Sequence, residues 1–244
     1  MGASSGIGAA LARNLSERGA VLALSARSEG KLNDLNTQLG GGHHAFPFDV
    51  SDVETFTHTT AAVQEKLGVI DSVIFLAALY DPGSIEDMDL AKAHKTVDVN
   101  LKGAFTLVDT VLPIMKEQGG GQIALCGSVA GYRGLPNGQP YSATKAAIVS
   151  LAETMRAELD NTGIDVKLIS PGFVRTPLTD KNDFKMPMMV EPEDAAEEIA
   201  KGLQSSAFEI HFPKKFTYMV KFLQIIPYWL FFKIAKKIKE KKQH

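Results

Sequence analysis

Two periods of apolar spacing alternate along the chain. Leu11, Ala12 and Leu15 recur at three- and four-residue steps and predict a helix that ends near Gly19, and the apolar run 21–24 after it predicts a strand. The alternation repeats as a helix over 31–39, a glycine run at 40–42, a strand and turn over 44–50, a helix over about 53–67 and a strand over 72–76. A long helical pattern runs from about 90 to 117, followed by strand 122–126. Pro140-Tyr141 then opens a helix carried by Ala143, Ala146, Ala147, Ile148, Leu151 and Ala152, and strand 163–169 comes next. Glu191-Pro192-Glu193-Asp194 starts another helix, with proline in its first turn and acids at the positive end of its dipole, and 208–212 is the last strand. Strands alternating with helices in this way predict one α/β domain, doubly wound about a parallel sheet, with ligands at the carboxyl ends of the strands.

Composition narrows the setting. A chain of 244 residues, 45% hydrophobic and 22% charged, buries an ordinary globular core. Its net charge of −2 gives no general attraction to nucleic acid. The single cysteine, Cys126, excludes an internal disulfide and points to a reducing, cytoplasmic compartment. It ends a strand, so packing rather than reactivity is expected of it. The six histidines show no ligand-spaced cluster with cysteine or carboxylate, and no metal is expected. No apolar run reaches the length of a membrane span.

Three stretches carry chemistry. Gly2-x-x-x-Gly6-x-Gly8 opens the first helix, where glycines admit close backbone approach and the free N–H groups of a helix N-terminus favour a phosphate. Tyr141 and Lys145 lie four apart on one helix face, so their side chains meet. An ammonium ~5 Å from the phenol, at an effective dielectric of ~20, favours the phenolate by roughly 3 kcal/mol, or about two pKa units. That moves tyrosine toward the range of efficient general acid–base work. Ser128 follows strand 122–126 in a glycine-rich loop, from which its hydroxyl could hold a substrate oxygen against the Tyr141 hydroxyl.

In order and spacing, Gly2-Ala-Ser-Ser-Gly6-Ile-Gly8, Asp49-Val50, Asn100, Ser128, Tyr141-x-x-x-Lys145 and Pro171-Gly172-x-Val174-x-Thr176 resemble the short-chain dehydrogenase/reductase family over about residues 1–212. The resemblance implies a Rossmann domain over 1–212, followed by a helical extension over 213–244. It implies a catalytic tetrad of Asn100, Ser128, Tyr141 and Lys145, with reversible hydride transfer between a carbonyl and an alcohol. Asn100 would bend its helix and support a proton relay, and Lys145 would also hold the nicotinamide ribose. Cofactor contacts are implied at Gly2, Ser4, Ser5, Gly6, Ile7, Gly8, Asp49, Val50, Ala77, Tyr141, Lys145, Pro171, Gly172, Val174 and Thr176. For Asp49 the alternative is a bond to turn backbone, with Ser51 or Asp52 capping the next helix. At the turn after the second strand a carboxylate would bond the ribose hydroxyls of NAD. Ala26 stands there instead, and the Arg27 fork suits a phosphate, so NADP is favoured over NAD. The alternative for Arg27 is a solvated surface side chain.

The chain departs from the family at three places. Phe75-Leu76-Ala77-Ala78 replaces the usual Asn-Asn-Ala-Gly, and the glycine turn has Met1 in front of it where the family has its first, central strand. Loss of that strand would bare two neighbouring edges, so further residues upstream of Met1 are expected, the rival being a true truncation. After 212 the tail mixes aromatics with lysines and is split by Pro227. Residues 216–242 suit either a membrane surface or packing over the substrate mouth or a subunit interface. Residues 177–190, with Phe184, Met186, Met188 and Met189, suit a mobile substrate lid, or a loop that covers core. The expected protein is thus an NADP(H)-dependent oxidoreductase of an apolar, lipid-like small molecule, a homodimer or homotetramer. A non-catalytic NADP-binding scaffold of the same fold is the alternative.

Overall fold

In a computed structural model, the structure describes residues 1–182, 184 and 186–241. Six parallel strands alternate with helices: α1 (Gly6–Glu17), β1 (Ala23–Ala26), α2 (Glu29–Gln38), β2 (His44–Pro47), α3 (Val53–Leu67), β3 (Ser72–Phe75), α4 (Leu90–Val97), α5 (Gly103–Gln118), β4 (Gly121–Cys126), α6 (Tyr141–Glu158), β5 (Ile164–Pro171), α7 (Pro192–Leu203), β6 (Glu209–Phe212), α8 (Lys214–Ile225) and α9 (Tyr228–Lys241). Period-two alternation sends the sheet's side chains to two different cores. Ile123 and Leu125 of β4 face a core with α3, α5 and α6, while Ala124 and Cys126 face α1 and α7. Cys126 is buried with its thiol pushed up by that burial, as its packing role requires.

The long helical pattern of 90–117 is not one helix. Asp98–Lys102 forms a π-turn between α4 and α5. Asn100 sits in this turn, fully buried. Pro227 separates α8 from α9, as expected of a residue that cannot donate to a helix interior.

The parallel sheet is interrupted. Strands β3-β4-β5-β6 form one hydrogen-bonded sheet and β1-β2 another. Between the edges of β1 and β3 lies a slot of about 980 Å3, lined by residues 21–25 and 71–74 together with Leu11, Val63 and Val111. It is the place of the central strand expected to be missing. Met1 bridges its upper end. Its amino group donates to the Ile74 carbonyl at 2.7 Å and its carbonyl accepts from Leu76 N–H at 3.0 Å, a parallel pairing with β3. On the other side Gly2 N–H donates to the Ser25 carbonyl at 2.7 Å.

Candidate active site

The carboxyl ends of β1, β3, β4 and β5 surround a cleft of about 1160 Å3. It is lined by Gly2, Ser4, Ser5, Gly6, Ile7, Gly8, Arg27, Asp49, Val50, Ala77, Ser128, Tyr141, Lys145, Pro171, Gly172, Val174 and Thr176. Of the residues the sequence singled out for chemistry or cofactor contact, Asn100 alone is absent from the wall.

The first turn is built so that only glycine fits. Gly2 has φ +87°, and a Cβ on Gly8 would stand 2.1 Å from the Gly2 carbonyl oxygen. A Cβ on Gly6 would stand 2.9 Å from Thr176 Cγ2, which brings the Pro171–Thr176 turn against the glycine turn. The α1 N-terminus offers its backbone to the cleft, and its N-cap Ser5 makes no side-chain capping bond. Arg27 leaves the end of β1 exposed on the wall. A dinucleotide fits such a cradle.

Asp49 is partly committed to its own turn: its Oδ1 accepts from the Ser51 amide at 2.9 Å and the Ser51 hydroxyl at 2.6 Å. Burial would raise its carboxyl, but those bonds, with Lys95 and Arg27 nearby, hold it below the usual carboxylate range. Asp52, not Ser51, caps α3 through the Thr55 amide.

Around Tyr141 the geometry is tight. Ser128 leaves β4 in extended conformation, its Oγ accepts from Ala130 N–H at 3.1 Å, and it shares the cleft wall with Tyr141. Lys145 is 1% exposed and donates to the Cys126 carbonyl at 2.7 Å. Its Nζ lies 5.5 Å from the centre of the Tyr141 ring.

The expected depression of the tyrosine pKa is reversed. Burial pushes the Tyr141 phenol well up, further raised by Cys126 and opposed by the Ser128 hydroxyl. Burial likewise pushes Lys145 down. The helix spacing does bring the pair together, but the lysine turns to a carbonyl, and withdrawal from water favours the neutral form of both groups.

Asn100 does its work behind the wall. Its Oδ1 accepts from Leu79 N–H at 2.7 Å, and its Nδ2 donates to the Leu79 carbonyl at 2.9 Å and to Thr144 Oγ1 at 3.1 Å. Thr144 in turn donates to the Tyr141 carbonyl at 2.7 Å. The side chain is a clamp between the segment after β3 and the start of α6.

Several contributors escaped the sequence. Tyr80 packs edge-on against Tyr141 at 4.9 Å and donates to Asn182 at 2.5 Å, and Lys181 donates to the Tyr80 carbonyl at 2.7 Å. These bonds tie the segment 177–190 to the cleft. Within that segment Phe184 and Pro187 line the cleft and Met188 is exposed, while Asp183 and Lys185 lie outside the described residues. Tyr132, four residues after Ser128, hydrogen-bonds Glu209, which also takes the Lys221 ammonium of α8. Nothing local marks this trio, because its members are 77 and 12 residues apart in sequence.

The profile of the short chain dehydrogenase family matches residues 1–186. An uncharacterized oxidoreductase of Myxococcus xanthus is 30% identical over 241 residues, covering 98% of this chain and 95% of that protein. Another from Staphylococcus epidermidis is 34% identical over 202 residues, covering 83% and 88%. Among solved structures, a short-chain dehydrogenase from Streptomyces avermitilis superposes with a TM-score of 0.83 at 22% identity, over 99% of this chain and 94% of that one, a likeness of fold. The chain belongs to the short-chain dehydrogenase family and is an oxidoreductase of it.

Proposed function

We propose that the protein is an NADP(H)-dependent oxidoreductase that interconverts a carbonyl and an alcohol on an apolar, lipid-like small molecule. The observation that carries this reading is the convergence of Ser128, Tyr141 and buried Lys145 on one wall of the cleft that also holds the glycine turn. The glycine turn, Asp49, Val50, Ala77 and the 171–176 turn would hold the cofactor. Tyr141 and Lys145 would take its nicotinamide ribose and Arg27 the 2′-phosphate. When bound, the nicotinamide supplies the hydride chemistry.

The chain's own residues hold the substrate and move the proton. Ser128 and Tyr141 share the substrate oxygen. Tyr141, kept neutral by burial, gives its proton to that oxygen in reduction and takes it back in oxidation. Asn100 supports the relay by fixing Thr144 and, through it, the first turn of α6. Leu79, Leu135, Phe173 and Phe184 make the substrate side of the cleft apolar. NADP is preferred to NAD because Ala26 and Arg27 stand where a ribose-binding carboxylate would exclude phosphate. The Brucella melitensis 3-ketoacyl-(acyl-carrier-protein) reductase, a fold relative at 24% identity and TM-score 0.80, was solved with NADH, so both cofactors belong in the test.

Residues 1–212 carry this chemistry and 213–244 form the appended helical segment. The enzyme works in the cytoplasm, peripherally at a membrane through 216–242. Exposed Leu90 and Phe105 give it a surface for a homodimer or homotetramer. A non-catalytic scaffold has no use for the complete Ser128, Tyr141 and Lys145 set. Tyr141→Phe is expected to cut turnover of a carbonyl panel by about a hundredfold or more with NADPH affinity unchanged. Near-normal turnover would remove the reading.

A further inference from the structure

Helix α8 has two apolar faces, and they look in opposite directions. At 3.6 residues per turn Phe216, Val220 and Leu223 share one side, and these three line the cleft. Tyr218, Phe222 and Ile225 share the other and are 59, 59 and 77% exposed. Met219 lies on the seam between the faces: it lines the cleft and is 53% exposed. Helix α9 extends the outer surface with Tyr228, Trp229 and Phe232, all more than half exposed, while its Ile238 reaches the cleft. So many exposed aromatics on two consecutive helices exceed what an isolated surface in water carries.

Charge selects what covers them. From 213 to 239 the sequence holds seven lysines and no acidic residue, in a chain of net charge −2. Lys214, Lys215, Lys233, Lys237 and Lys239 are exposed around the aromatics, whereas Lys221 turns inward to Glu209. A second copy placed face to face would bring its own lysines against these. An anionic lipid surface matches both the aromatics and the cations.

The helices are also fixed to the catalytic loop. Lys221 and Tyr132 meet on Glu209, and the Arg133 guanidinium stacks 4.4 Å from the Tyr228 ring centre and 4.5 Å from that of Phe231 while donating to the Gln224 carbonyl. Tyr132 and Arg133 follow Ser128 by four and five residues.

We infer that α8 is a shared wall between active site and bilayer, and that the enzyme draws long-chain carbonyl or alcohol lipids from an anionic leaflet past Met219 into the cleft. This rests on the proposed redox reading of the cleft. The test uses the full chain with vesicles of phosphatidylcholine plus phosphatidylserine, against phosphatidylcholine alone. Turnover is followed with a long-chain ketone dissolved in the vesicles and with a short water-soluble ketone. Flotation should show binding to the anionic vesicles that high salt weakens, with little binding to neutral ones.

Phe222→Asp combined with Trp229→Asp changes two side chains outside the cleft. It should lower vesicle binding and long-chain turnover by about tenfold or more while short-chain turnover and NADPH affinity stay at wild-type values. Absence of binding to anionic vesicles overturns the inference, as does equal loss of short- and long-chain turnover in the double variant, which would make α8 an ordinary lid. Self-association that the double variant abolishes, without vesicle binding, would assign the surface to a second copy. Vesicle binding with no turnover of either ketone would instead sink the redox reading, and the delivery role with it.

Discussion

Replacing Asn100 by alanine separates a clamp from a participant in proton transfer. The side chain is completely buried and makes three hydrogen bonds. Its loss strands the N–H and carbonyl of Leu79 and removes the donor to Thr144. An unpaired buried polar group costs about 1–3 kcal/mol. Leu79 is only half-buried, so water recovers part of that, and roughly 3 kcal/mol is the expected total. For a chain of this size that lowers Tm by about 6–12 °C, which differential scanning calorimetry resolves. Asn100→Asp retains the acceptor for Leu79 N–H but sets a carboxylate oxygen against the Leu79 carbonyl. It should be destabilised as well, and more so at neutral than at acid pH. If Asn100→Ala melted within about 2 °C of wild type while turnover fell a hundredfold, the clamp account would be wrong, and the side chain would act on the proton path itself.

Arg27→Ala should weaken NADPH binding by about 1–3 kcal/mol and leave NADH binding nearly unchanged in fluorescence titrations; equal losses would make Arg27 structural. Glu209 is partly buried, which alone would raise its carboxyl, yet its bonds to Lys221 and Tyr132 bring it below its ordinary 4.5. A group lowered by folding lends stability that is present above 4.5 and is lost as pH falls through the folded value. Acid unfolding as pH falls below 4.5 should therefore be shallower in Glu209→Gln than in wild type, and identical slopes would refute the assignment. An apolar segment of about five residues fused ahead of Met1, in extended conformation, should pair with both edges of the slot and raise Tm and NADPH affinity. An unchanged melt would mean that the slot does not accept a strand.

The order of elements and the cleft wall were legible because both rest on local signals. Periodicity marks α6 and β4, and the glycines at 2, 6 and 8 mark a turn that a Cβ would fill. What stayed hidden depends on burial and on pairs distant in sequence. The Tyr141–Lys145 spacing was read correctly as proximity, but the sign of the pKa shift follows from desolvation, which a helical wheel does not contain. Asn100 was recognised as a buried amide, whereas its partner Leu79 is 21 residues away and contributes only backbone, which carries no sequence signature. The tail's aromatics were visible as a group. That α8 divides them between cleft and surface emerges only once Phe216 is seen packed with Val129 and Tyr132.

The divided sheet also separates the cleft into two carriers. Arg27 and Asp49 ride on the β1–β2 pair, whereas Ser128, Tyr141 and Lys145 belong to the four-stranded part, and across the slot the pairing to the two edges runs through Met1 and Gly2. A dinucleotide reaching from Arg27 to Tyr141 would act as a staple between them. Its affinity and the opening free energy of the smaller part would then be one linked quantity: whatever stiffens the β1–β2 pair would tighten the dinucleotide, and the dinucleotide would slow amide exchange in β1 and β2 more than in β4 and β5. In such a protein cofactor supply would set how much of the chain stays folded as well as how fast it turns over.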